Sequence, residues 1–203
     1  MKTSSAAIGR WCAATVIAGL LFWVSTAEAH VQQGAAAGFT TGFYHPWSGW
    51  DHILAMVAVG VWGVQLGRPA LWLLPVTFPV IMSLGGFLGL VGCPLPGSEL
   101  GIGLSALLLG SMVAAEAHPP LWLAVFMVGI FGLCHGYAHG TELPPNEDGL
   151  YYSIGFVIAT GCLHGVGIAL GLIHHWKAGA IGLRIAGTAI ALAGVFFTWR
   201  AMV

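Results

Sequence analysis

The sequence predicts an all-α polytopic membrane protein, a six-helix transmembrane bundle after an N-terminal signal peptide. Three observations carry this. Only 6% of the 203 residues are charged, against about 25% in a soluble domain, so no soluble surface can be assembled. Mean hydropathy is +0.88. The apolar residues also fall into runs near the ~20 that an α-helix needs to cross a bilayer. The 31 glycines suit membrane helices that approach closely through small residues. A net charge of −1 gives no reason to expect nucleic acid as a partner. The lipid bilayer is the partner this composition requires.

In chain order, residues 1–29 read as a signal peptide. Lys2 and Arg10 form its basic region, Cys12 to Val24 its apolar region, and Ala27-Glu28-Ala29 a small-residue cleavage site. Cleavage leaves His30 at the new N-terminus, where an α-amine beside an imidazole can chelate a transition metal. Residues 30–46 are expected to be a short periplasmic segment, with a Gly/Ala/Thr linker from Gln33 to Phe43. A six-span transmembrane domain, 47–203, follows with spans expected at about 47–67, 70–91, 100–117, 121–140, 150–173 and 179–200. Pro75 and Pro79 interrupt the second span and should kink it. Cys12, Cys93, Cys134 and Cys162 show no paired spacing, which argues against a disulfide framework or a zinc ribbon.

Charge sets the expected orientation. Arg68, Lys177 and Arg184 fall on one side, with His174 and His175, while Glu99, Glu142, Glu147 and Asp148 fall on the other. By the positive-inside rule the acidic loops are periplasmic, and Arg200 is the one basic exception. The mature N-terminus is therefore expected outside and, if the source is bacterial, the protein is expected in the inner (cytoplasmic) membrane.

Two clusters carry the chemistry. In His45-Pro46-Trp47-Ser48-Gly49-Trp50-Asp51-His52, Pro46 suits a first helical turn, so His45 is expected to cap the first span. His45 and His52 then lie about 10 Å apart along the axis, which makes them successive ligand positions. In Phe131-Gly132-Leu133-Cys134-His135-Gly136-Tyr137-Ala138-His139-Gly140-Thr141-Glu142, His135 and His139 are i,i+4 neighbours on one face and can share an ion. Glu142 can join them from the last turn. Gly132, Gly136 and Gly140 make a small-residue stripe suited to docking on a neighbouring helix. Imidazoles and carboxylates together suit a borderline divalent ion such as Ni, Co, Cu or Zn. The metal set is thus His45, Asp51, His52, His135, His139 and Glu142. Weaker candidates are Glu99 opening the third span, mid-membrane His164, Glu116 and His118 at the inner end, and His30.

The motifs HPWSGWDHILAM at 45–56 and FGLCHGYAHGTE at 131–142, within a leader-plus-six-span layout, resemble the HupE/UreJ family of nickel permeases. The resemblance covers essentially the whole chain. It implies that His45, Asp51 and His52 form the family's first metal motif, and that His139 and Glu142 hold key positions of its second. It also implies an acidic position at Glu99. The activity it implies is inward secondary transport of Ni2+, or Co2+, for maturation of a hydrogenase or urease. No catalytic residues, enzymatic activity or resident cofactor are expected, and uptake should fall as pH drops through roughly 6.5. A homo-oligomer and a cytosolic metallochaperone are the protein partners left open. Two other readings stand beside it: a membrane-embedded metal-dependent hydrolase, in which Glu142 or Asp51 acts as base, and a metal-delivery accessory protein without transport.

Overall fold

The computed structural model describes residues 35–143 and 147–203, which form α-helices joined by short turns. The expected signal peptide, Cys12 and His30 lie outside the described residues. The helices are α1 (Ala35–Ser48), α2 (Trp50–Leu66), α3 (Ala70–Leu90), α4 (Ser98–Ala115), α5 (Leu121–Thr141), α6 (Gly149–Gly171) and α7 (Lys177–Arg200). A 3-10 turn, Leu172–His175, links the last two. Helices α3, α4, α5, α6 with its 3-10 extension, and α7 are each long and apolar enough to cross a membrane. The chain is thus a multi-pass membrane protein.

Helix ends agree with the expected spans to within a few residues, with one exception. The expected linker from Gln33 to Phe43 is helical from Ala35 onward, and α1 continues through Pro46 to Ser48. Pro46 therefore sits in the last turn of α1, not the first turn of a span, and His45 does not cap α2. The break falls at Gly49, whose backbone is extended. The expected first span, 47–67, is reduced to the 17 residues of α2. Pro75 and Pro79, expected to interrupt the second span, are both accommodated within α3.

Glycines settle which helices touch and in what direction. A Cβ at Gly132, Gly136 or Gly140 of α5 would strike Phe78, Met82 or Gly86 of α3 respectively. Both residue numbers rise together, so these helices run parallel. Gly38 and Gly42 of α1 abut Asp148 and Tyr152, and Val57 of α2 abuts Gly167. Helices α1 and α2 thus run one after the other along α6 in the same direction. By contrast, Gly103, Gly110 and Gly194 lock α4 against α7 antiparallel, with Thr198, Ala191 and Leu107 as partners. Where backbones approach this closely no larger residue fits, which is how apolar helices bind one another without a hydrophobic driving force.

The centre of the bundle is closely packed. Met56, Trp62, Leu74, Phe78 and Leu109 are fully buried, and large apolar residues such as Trp72, Phe87, Trp122 and Phe126 cover the outside. The far end from Gly49 is tied by polar contacts. Trp62 Nε1 donates to the Ala117 carbonyl at 2.9 Å and Gln65 Nε2 to that of Val113 at 3.2 Å.

Candidate metal site

Gly49 opens the site. A Cβ there would lie 2.7 Å from Asp51 Oδ1 and 2.9 Å from His52 Nδ1, so a larger residue would push that pair aside. Asp51, in the first turn of α2, suits the positive end of the helix dipole. Its Oδ1 accepts the His52 main-chain N–H at 2.9 Å and His52 Nδ1 at 2.8 Å. A carboxylate can only accept, so Nδ1 carries the proton and His52 presents Nε2 as its free lone pair. That atom is buried without a partner. In this structure Asp51 orients an imidazole, the usual outer partner of a metal-binding histidine.

On α5, His135 is fully buried and His139 is 5% exposed. Their rings meet the first motif: His52 lies 4.7 Å from His135 and 4.4 Å from His139, centroid to centroid. His45, reaching in from α1, lies 4.7 Å from His139. Two ligand sets result. His52, His135 and His139 each offer an atom within 4.8 Å of the others, and so do His45, His139 and Glu142. The first set is buried, whereas the second opens outward through the exposed Glu142. His139 belongs to both. Glu142 Oε2 stands 3.7 Å from His45 Nε2 and 3.8 Å from His139 Nδ1; these are ion-pair distances that leave the nitrogens without hydrogen bonds.

His45 and His52 fall in different ligand sets. They lie on two helices divided at Gly49 and approach His139 separately. Glu99, exposed at the start of α4, is close enough for its charge to act on those of Asp51, His52 and Glu142. Glu147 does the same at His45 and Tyr152. The mouth is acidic.

The remaining candidates lie apart from this cluster. His164 is buried on α6, and the Phe78 ring lies 5.4 Å from both its ring and that of His135, edge-on to His164 and tilted against His135. It approaches the carbonyl of Pro75, which Pro79 leaves without its helical donor. Neither His164 nitrogen completes a hydrogen bond. Glu116 and His118 sit at the far end, where the His118 ring nitrogens face the carbonyls of Glu116 at 2.6 Å and Gln65 at 3.1 Å. Cys134 packs against Gly101 and joins neither set. Ser105, which no sequence pattern marked, touches His135 Nε2 at 2.9 Å. A serine within an apolar helix carries no signal until its partner, thirty residues on, is known.

Four buried ring nitrogens are left unpaired here: Nε2 of His52, Nδ1 of His135, and both nitrogens of His139. Each orphaned polar group costs about 1–3 kcal/mol. A bound cation would take one lone pair from each of the three rings, leaving only the N–H of His139 to be paired, and three imidazoles fit a late first-row divalent ion.

The HupE / UreJ protein family model matches residues 18–197. The chain belongs to the HupE/UreJ family. Protein HupE of Rhizobium leguminosarum bv. viciae is 46% identical over 170 residues, covering 84% of this chain and 88% of that protein. No solved structure matches. Both motif clusters of this HupE/UreJ member fall inside the matched region, so the site lies in the part of the chain that defines the family.

Proposed function

We propose that this HupE/UreJ protein is a secondary transporter that carries a divalent transition-metal ion inward across the bacterial inner membrane. The observation that carries the reading is the convergence of unpaired, buried imidazole nitrogens from α2 and α5 beneath an acidic mouth. Nickel is the ion suggested by the family resemblance, for supply to a hydrogenase or urease, and the ligand chemistry accepts cobalt as well. In this reading the chain crosses the membrane six times, with α1 and α2 together making the first traverse. The site end faces the periplasm, since Arg68, Lys177 and Arg184 gather at the opposite end.

The route follows the ligand sets. Glu99, Glu142 and Glu147 raise the local cation concentration. The ion sheds water to His45, His139 and Glu142, then transfers to His52, His135 and His139 by exchanging partners around the shared His139. Phe78 and His164 lie next, on the way to the far end. Neutral imidazoles in excess of carboxylates bind firmly enough to select and still release. A protonated imidazole offers no lone pair, so uptake falls on acidification.

Radiolabelled nickel flux into proteoliposomes tests this. The wild type should accumulate nickel, and Asp51→Asn should lower the initial rate about 10–100-fold, the usual effect of losing a ligand's orienting partner. The asparagine keeps the shape but no longer enforces the proton on His52 Nδ1. Nickel binding without flux in the wild type would make the protein a delivery factor instead, and unimpaired flux in Asp51→Asn would remove Asp51 from the site.

A further inference from the structure

Ser105 lies in the middle of α4 and is completely buried. Its hydroxyl has two neighbours, the Ile102 carbonyl oxygen at 2.7 Å and His135 Nε2 at 2.9 Å. A hydroxyl has a single proton. The carbonyl can only accept, so that proton goes to Ile102, and toward His135 the hydroxyl can only accept. His135 Nε2 must then carry the imidazole proton, leaving the lone pair on Nδ1. Nδ1 is buried and unpartnered, and His135 is one of the three histidines whose ligand atoms converge.

We infer that Ser105 is a positioning residue that fixes the His135 tautomer and so presents Nδ1 to the transported cation. Asp51 performs the mirror-image task on His52, holding the proton on Nδ1 and exposing Nε2. The buried site thus receives His52 through Nε2 and His135 through Nδ1, the first secured by a carboxylate from the first turn of its own helix and the second by a hydroxyl from a different helix. Ser105 also anchors α4 to α5 at the level of the ligands, since its bond to Ile102 directs the hydroxyl lone pairs across the helix interface.

This role rests on the metal-site reading, but its central claim can be read without metal. Histidine labelled with 15N, in metal-free protein in lipid nanodiscs, reports the tautomer of each ring, and the His135 signals are assigned by their loss in His135→Gln. The wild type should show the Nε2–H pattern at His135. Ser105→Ala, which is smaller and fits the space, should convert this to a mixture or to the Nδ1–H form, and Ser105→Thr should restore it. Nickel affinity measured by titration should fall about 10-fold or more in Ser105→Ala and recover in Ser105→Thr. An Nδ1–H pattern in the wild type, or an unchanged pattern in Ser105→Ala, overturns the proposal. So does unaltered nickel affinity in Ser105→Ala. A wild type that binds no nickel while His135 shows the Ser105-dependent tautomer would defeat the transport reading and leave the positioning role standing.

Discussion

Replacing His139 with alanine should abolish nickel uptake and leave the fold intact. His139 is the member common to both ligand sets. Without it the outer set is reduced to His45 and Glu142, and the buried set to His52 and His135. No three-ligand arrangement remains at either level, and the step between them loses its shared partner. Flux should therefore fall to the level of empty liposomes, a larger effect than for His45→Ala, which spares the buried set. Loss of stability would not account for this result. Truncating a large buried side chain costs about 2–5 kcal/mol, yet this one also removes two buried nitrogens that have no partner, each costing about 1–3 kcal/mol. The two contributions offset, so the melting temperature in detergent should move by no more than a few degrees. Uptake above a tenth of wild type in a correctly inserted His139→Ala protein would show that the two sets are not linked through this ring.

Much of this architecture could be read from residues alone. A bilayer demands a minimum apolar length and internal satisfaction of every backbone group, and those demands fixed α3 to α7 to within a few residues. The i,i+4 spacing of His135 and His139 placed both on one face because helical geometry allows nothing else. What escaped was whatever depends on a second helix. The stretch Ala35–Ser48 has the Gly/Ala/Thr composition of a linker, although Phe39, Phe43 and Trp47 stand at i,i+4 spacing, and it is helical where it lies against α6 through Gly38, Gly42 and Gly155. The break at Gly49 could not be placed because α1, on its near side, was not expected to be helical. Asp51 was expected among the ligands; that its Oδ1 also holds His52 was not read from the residue types. Parallel pairing of α3 with α5 was equally hidden, although the glycine stripe on α5 announced that some helix would dock there.

That stripe leads to the second large effect. Gly136→Ala should destabilise the protein and weaken nickel binding together, whereas Gly165→Ala should do neither. A Cβ at Gly136 would land on the Met82 carbonyl oxygen, which belongs to a helix backbone and cannot rotate aside as a flexible side chain would. Helices α3 and α5 must then separate. Overpacking of this kind costs about 1–3 kcal/mol, and neighbouring contacts at Gly132 and Gly140 with Phe78 and Gly86 transmit the shift along the interface. His135 and His139 flank Gly136 on the same helix, so the displacement carries both away from His52 on α2. Because ligand atoms within 4.8 Å of one another leave little slack for a single ion, the affinity should drop alongside the melting temperature. Gly165 has open space where its Cβ would go and lies on an exposed face of α6. Alanine there meets nothing, and its better helix propensity makes the change neutral or slightly stabilising. Thermal melts and nickel titrations of the two variants in the same detergent separate the cases. Identical behaviour of Gly136→Ala and Gly165→Ala would mean that α3 and α5 do not approach as closely as the structure requires. A loss of stability at Gly136 with unchanged nickel affinity would mean instead that the histidines of α5 are held in place by their own ring contacts rather than by the helix beneath them.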